Sequence, residues 1–306
     1  MKPKRPPSTI PMDRLKTRAL QSLQPLLTLA LDEDIGPGDL TTDVLIDSEA
    51  EAEGRLIACA GGVVAGLLFV GPILRRVDAR LGFEPEVEDG AGVQTDRLLG
   101  RITGPLRPML TAERTMLNFL QGLSGIATLT RKYIDAVAGT GVVVLDTRKT
   151  TPGWRYLEKY AVRAGGGTNH RTGLHDGVII KDNHLAVRAP NHVGETIAGL
   201  VHEARSRISP EIPIQVEVER LDYLEEVLAS EPDVVLLDNM TVQTCRDAVA
   251  LRGRLFDDGG PALEASGGIS LDNVRRFAET GVDRISIGAL THSAPILDIS
   301  LEIQRG

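Results

Sequence analysis

Two isolated carboxylates, Glu217 and Asp238, close two successive apolar runs of this chain. At the C-terminal ends of neighbouring strands they would share one rim. There they could hold Mg²⁺ through oxygen ligands or offset positive charge on a sugar. Salt bridges to rim arginines are the structural alternative. Cations gather nearby in sequence: Arg148-Lys149 follow Asp146, His170-Arg171 follow the flexible run Gly165–Thr168, and Lys181 closes Val178–Ile180. Arginine forks match carboxylates and phosphates bidentately. Lys181 alone would suit a Schiff-base nucleophile, but among Arg148, Lys149 and Arg171 it suits a point charge for an anion. His170 can be a structural hydrogen-bonding residue or part of the site. Ser266-Gly267-Gly268-Ile269 and Gly288-Ala289 follow two consecutive strands, where glycines let backbone N–H groups approach a phosphate.

Charge distribution supports a site for small polyanions. The chain of 306 residues has 34 Lys+Arg and 42 Asp+Glu, a net charge of −8. From Thr147 to His184 seven basic residues face three acids, so that segment is +4 and the remainder −12. A cationic patch in an acidic protein focuses anionic ligands into one cleft, although a solvated basic face would read alike. Acidity and only 3% aromatic residues argue against nucleic-acid binding. No apolar run reaches the roughly 20 residues of a membrane span. Two cysteines, Cys59 and Cys245, make no disulfide framework and fit a reducing cytoplasm.

The elements that must carry these residues divide the chain near residue 122. Residues 1–14, basic and proline-rich, read as a disordered tail. Residues 15–122 read as an α/β sandwich domain: an amphipathic helix over Leu15–Leu31, an acidic loop over Asp32–Asp39, and strands at Glu53–Cys59, Gly62–Ala65, Glu84–Glu88 and Leu98–Thr103. Leu68–Leu81 has helical periodicity, and Thr111 reads as the cap of a helix over Ala112–Leu123, with Glu113 in its first turn. Residues 123–306 alternate. Apolar runs at Val142–Asp146, Val178–Ile180, Ile214–Glu219, Val234–Asp238, Leu263–Ser266 and Arg284–Ile287 are separated by helical patterns at Arg155–Ala164, Val193–Arg207, Leu221–Ala229, Val242–Leu255 and Leu271–Thr280. Apolar strands separated by helices make a parallel sheet covered by those helices, and six such units suit an α/β barrel. Asp146, Glu217, Asp238 and Ser266 then stand at or near the C-terminal strand ends, the face where barrels place their chemistry. Glu219 is secondary, and Trp154, Tyr156 and Tyr160 read as packing residues.

These motifs occur in an order that resembles quinolinate phosphoribosyltransferase. The strings are Thr111-AERTMLNFLQGLSGIAT, Leu145-DTRKTTPG, Lys159-YAV, Gly165-GGTNHRTGL, Ile180-KDNH, Val216-EVE, Leu237-DN, Ser266-GGI and Gly288-ALTHS. The resemblance runs from about Leu31 to Leu301; Trp154 departs from it, standing where an aliphatic residue is expected. It implies an incomplete α/β barrel of the type II phosphoribosyltransferase kind with an N-terminal open-faced α/β sandwich domain. It implies phosphoribosyl transfer from phosphoribosyl pyrophosphate to quinolinate with decarboxylation, Mg²⁺ as cofactor, and a homodimer or dimer-based hexamer. By the resemblance, Thr147, Arg148, Lys149, His170, Arg171 and Lys181 line the quinolinate site and Arg114 reaches in from the partner subunit. Glu217 and Asp238 surround ribose and metal, while Ser266, Gly267, Gly268, Ile287, Gly288 and Ala289 form the phosphate loops. Lys149, Lys181, Glu217 and Asp238 are the expected catalytic residues. A related protein of molybdenum transport, and an aldolase built on Lys181, remain alternative readings.

Overall fold

The computed structural model describes residues 10–188, 193–257 and 259–304. The chain begins with α1 (Met12–Ile35), α2 (Leu40–Leu45), β1 (Glu51–Ala58), β2 (Gly62–Val63), α3 (Leu67–Val77), β3 (Gly82–Pro85), β4 (Gly92–Val93), β5 (Arg97–Pro105) and α4 (Leu106–Ala136). Next come β6 (Val143–Leu145), α5 (Arg155–Ala164), β7 (Val178–Ile180), α6 (Asp182–Arg188), α7 (Val193–Arg207), β8 (Ile214–Val218) and α8 (Leu224–Ala229). The last elements are β9 (Val234–Asp238), α9 (Val242–Leu255), β10 (Ala262–Ser266), α10 (Val274–Ala278), β11 (Arg284–Ser286), α11 (Ala289–His292) and β12 (Ile299–Gln304).

Two compact units share these elements by interleaving. One comprises residues 11–131, 150–166 and 290–306; the other contains 132–149 and 167–289. The division expected near residue 122 therefore falls inside α4, and α5 with the C-terminal segment joins the N-terminal unit. That unit carries an antiparallel sheet in the order β12-β1-β5-β3. Helix α1 presents Leu15, Ala19, Leu23, Leu27 and Leu31 as a buried stripe at four-residue spacing. Aromatic packing holds α5 here: Trp154 stacks on Phe119 with centroids 4.5 Å apart, and Tyr160 meets Phe69 edge-on at 5.5 Å. The Tyr160 hydroxyl donates to Asp89 at 2.6 Å, and that carboxylate also accepts the first amides of α3 from Gly66 and Leu67.

The barrel unit contains one six-stranded sheet in the order β6-β11-β10-β9-β8-β7. A closed barrel would also join β6 to β7, so this one is open at that seam. The cause lies in the connection between them. Its helix α5 packs in the other unit, and Thr168 instead forms a parallel bridge with Leu145 on the edge of β6.

Several local expectations are corrected. Thr111 lies inside α4 and caps nothing; the helix starts at Leu106, with Pro108 in its first turn where no N–H is needed. Its hydroxyl donates back to the Arg107 carbonyl, and Glu113 is not in the first turn. Residues 12–14 are helical rather than tail, while residues 1–9 lie outside the described residues. Asp32 to Asp34 belong to the last turn of α1, so the acidic loop is confined to 36–39. Ile299–Gln304, for which no strand is expected, forms β12 and pairs antiparallel with β1.

Gly125 of α4 is where the C-terminal segment crosses the helix: a Cβ there would stand 2.0 Å from the Pro295 carbonyl oxygen. Gly125→Ala is expected to destabilise the N-terminal unit by about 3 kcal/mol, read from urea unfolding midpoints.

Candidate active site

Register sets which side chains meet. In a parallel sheet, residues paired across strands point to the same face, as do residues two apart on one strand. Glu217 pairs with Leu236, Leu236 with Glu264, and Glu264 with Arg284. All lie on one face, joined one step further along by Asp238 and Ser266, which pair with each other. Lys181 follows Ile180, the partner of Val216, and so stands level with Glu217. Its Nζ donates to Glu217 Oε2 at 2.7 Å, an ion pair in which the carboxylate is buried and the ammonium half-exposed.

Asp146 organises the open seam. Its carboxylate is fully buried and accepts the His170 amide at 2.7 Å and the Asn169 side-chain amide at 2.8 Å. Main-chain bonds add to this: the Asp146 amide donates to Thr168 and the Thr168 amide to Val144. The loop carrying His170 and Arg171 is thereby fixed to the end of β6. Beyond Asp146, the Thr147 hydroxyl accepts the Lys149 amide at 3.0 Å, turning the chain so that Arg148 and Lys149 follow at once.

A second buried carboxylate lies beneath. Glu264 has no solvent exposure; its Oε2 lies 3.3 Å from Arg284 Nε and its Oε1 3.5 Å from His170 Nε2. Burial pushes its pKa up, but His170, Arg284 and the Ser286 hydroxyl outweigh that and hold it at about 2. His170 Nδ1 accepts the Arg171 amide at 2.8 Å. Arg171 donates through Nη1 to the Gly177 carbonyl at 2.7 Å. Burial lowers the pKa of Arg171, and the neighbouring positive charge of Arg148 lowers it further, with Asp176 opposing. The charge of Arg148 thus disfavours a second positive charge on Arg171, a repulsion that a doubly charged anion would relieve.

The glycine loops are shaped by close approach. Gly267 has φ +86°, and a Cβ there would lie 2.1 Å from Asn239 Oδ1, so only glycine fits. Asn239 is itself left-handed and its amide donates to the Ser266 carbonyl. Asn273 accepts the Ser270 amide and donates to the Gly268 carbonyl, pinning the loop from the other side. Among the described residues the amides of Gly267, Gly268 and Ile269 make no hydrogen bond. Helix α10 begins only at Val274, so the loop presents backbone amides and not a helix end. Gly288 and Ala289 follow β11, where the Ile287 amide donates to Leu145.

The barrel unit therefore brings together Thr147, Arg148, Lys149, His170, Arg171, Lys181, Glu217, Asp238, Ser266, Gly267, Gly268, Ile287, Gly288 and Ala289 at the C-terminal ends of its strands. Arg114 is an exposed residue of α4 in the N-terminal unit. Glu219 lies past the end of β8 and is exposed. Sequence reasoning missed Glu264 and Arg284; a charge in a strand meant to be buried on both faces was the signal. Among the described residues no group of three or more His, Cys, Asp or Glu forms a metal cage. Mg²⁺ needs only one or two carboxylates beside substrate oxygens and water. Glu217 and Asp238 fit that need: Glu217 Oε2 holds Lys181 and Asp238 Oδ2 accepts from Asn239, leaving the other oxygen of each outside these bonds.

Comparison with known proteins bears on the family and the fold. The family models described as quinolinate phosphoribosyl transferase, N-terminal domain and C-terminal domain, match residues 39–124 and 126–302. Nicotinate-nucleotide pyrophosphorylase [carboxylating] of Mycobacterium leprae is 44% identical over 279 residues, covering 90% of this chain and 94% of that protein. The crystal structure of NadC from Streptococcus pyogenes superposes with a TM-score of 0.84 at 38% identity, covering 93% of this chain and 97% of the other. The nicotinate-nucleotide pyrophosphorylase structure from Francisella tularensis gives 0.84 at 35% identity over 96% and 98%.

The Glu264 carboxylate links the site to acid stability. Its folded pKa of about 2 lies below the 4.5 of an unperturbed glutamate, so its contribution is complete above pH 4.5 and is lost as pH falls toward 2. Urea midpoints measured between pH 5 and 2.5 are expected to fall more steeply for the wild type than for Glu264→Gln.

Proposed function

The chain belongs to the quinolinate phosphoribosyltransferase family, and from that premise we propose how the mouth of its barrel is divided between two substrates. The reaction transfers the phosphoribosyl group of phosphoribosyl pyrophosphate to quinolinate, releasing pyrophosphate and CO₂ and leaving nicotinate mononucleotide, a pentosyl transfer of NAD biosynthesis. Both substrates are polyanions, in keeping with the +4 segment that supplies the cations. What supports the assignment is the pair of cations Arg148 and Arg171, the first just beyond β6 and the second just beyond the Leu145–Thr168 bridge, with the charge of one disfavouring that of the other. Quinolinate presents two neighbouring carboxylates, the anion that relieves such a pair. In this reading Arg148, Lys149, His170, Arg171 and Lys181 surround quinolinate. Ser266, Gly267, Gly268, Ile287, Gly288 and Ala289 cradle phosphate through backbone amides. Glu217 and Asp238 face the ribose.

The chemistry follows from charge placement. The C1–O bond of the ribosyl donor breaks with its electron pair leaving on pyrophosphate, and C1 gains positive character. Glu217 and Asp238 stabilise that carbon side, while Lys149 and Lys181 stabilise the departing anion. The pyridine nitrogen lone pair forms the new bond to C1, held in line by the arginines. The quaternised ring then accepts the electron pair of the C2–carboxylate bond as CO₂ departs, and C2 takes a proton. No covalent enzyme intermediate is required. Mg²⁺ held by Glu217 and Asp238 would neutralise charge on the pyrophosphate.

The assembly we propose is a homodimer or a dimer-based hexamer, in which the exposed Arg114 serves the partner's site. No described helix is long and apolar enough to cross a membrane. Two cysteines outside any disulfide support a reducing compartment, the cytoplasm.

Steady-state assays with Mg²⁺ are expected to show turnover of quinolinate and not of nicotinate. Arg148→Ala should raise the KM for quinolinate about 100-fold, the loss of a charge-assisted bidentate contact, with the KM for phosphoribosyl pyrophosphate little changed. Mixing inactive Arg114→Ala and Lys181→Ala proteins under conditions of subunit exchange should restore activity, since one site of the mixed dimer carries neither lesion. No recovery in verified mixed dimers counts against a shared site.

A further inference from the structure

We infer that Glu264, outside the substrate-binding set above, is a positioning residue that fixes the imidazole of His170 and through it the direction in which Arg171 meets the acceptor's carboxylates. The inference rests on the reading of Arg171 as a quinolinate-binding residue. Four observations support it. Glu264 sits in mid-strand on β10, fully buried, where a leucine would satisfy the fold at lower electrostatic cost. Arg284, its cross-strand partner, places Nε 3.3 Å from one carboxylate oxygen and His170 Nε2 lies 3.5 Å from the other, charge contacts at ion-pair distance that leave the carboxylate without a full hydrogen bond. The opposite ring nitrogen, Nδ1, accepts the Arg171 amide, which requires a lone pair there and puts the proton on Nε2, facing Glu264. The His170 amide is held by Asp146, so the peptides on both sides of His170 are fixed.

Nδ1 is committed by a hydrogen bond and Nε2 faces the Glu264 carboxylate, so His170 is a strut between the barrel interior and Arg171. The guanidinium of Arg171 leaves from a backbone whose amide is pinned, and Nη1 is held in turn by the Gly177 carbonyl. Removing the charge of Glu264 frees the imidazole to rotate and exchange tautomers, which releases the Arg171 amide.

Glu264→Gln keeps the side-chain volume but offers a single oxygen for two donors. The KM for quinolinate is expected to rise about tenfold or more, as for loss of a hydrogen bond to a charged group, while kcat and the KM for phosphoribosyl pyrophosphate stay within about twofold. The ¹⁵N shifts of His170 should report the Nε2–H tautomer in the wild type and a tautomer mixture in the variant. Loss of kcat and of affinity for both substrates together, with a lowered Tm, overturns the inference in favour of a purely structural role. Should the glutamine variant fail to fold, Glu264→Leu with Arg284→Met removes both charges at once. The same selective rise in KM is expected there, and an unchanged KM for quinolinate overturns the inference. Wild-type protein that does not use quinolinate overturns the functional reading and the substrate half of this one. In that event a His170 tautomer unchanged by Glu264→Gln overturns the positioning as well.

Discussion

A carboxylate removed from water must be answered by a cation or by N–H groups, and the barrel is organised around three such answers. Asp146 is answered by the amides of the loop that carries His170. Glu217 is answered by Lys181, and Glu264 by Arg284 and His170. Each answer crosses from one strand or loop to another, so satisfying the charge also fixes the geometry between elements. Hydrophobic strands supply the burial, but they would tolerate small shifts that a buried ion pair does not. The site's precision comes from that intolerance.

The cations of the site stand against these carboxylates: Lys181 on Glu217, and His170 beside Glu264. Burial and then the positive charge of Arg148 disfavour the charged form of Arg171, a repulsion that Asp176 opposes. Asp146 holds the backbone of His170, next to Arg171. Binding of a dianion then gains the relief of the repulsion in addition to its own contacts. A monoanion would gain only part of it, which gives a physical basis for preferring a dicarboxylate.

Legibility in the sequence followed locality. Val178–Ile180, Val234–Asp238, Arg155–Ala164 and Val242–Leu255 are bounded by signals within a few residues, and the structure keeps those bounds. The cations and carboxylates at strand ends were legible because a polar residue closing an apolar run has few other reasons to be there. Glu264 was not, since a single acid within Ala262–Ser266 declares its role only when Arg284 and His170 arrive from elsewhere in the chain. Strand β12 was missed for the same reason: its partner β1 lies on the far side of the whole barrel sequence. The start of α4 was misjudged because Thr111 offers a plausible cap, while the true first turn is disguised by Pro108.

The interleaving of the two units has a bearing on how the protein is made. The N-terminal sheet receives its β12 edge, and α4 its crossing at Gly125, from residues translated after every barrel strand. An N-terminal domain that completes itself on the ribosome before the next emerges is the common order for multidomain chains. Here that order is reversed. The barrel strands are available first, and the sheet of the N-terminal unit is left with an open edge until the chain returns. During synthesis that edge presents unpaired backbone groups until β12 arrives, and needs protection for as long as the barrel takes to emerge.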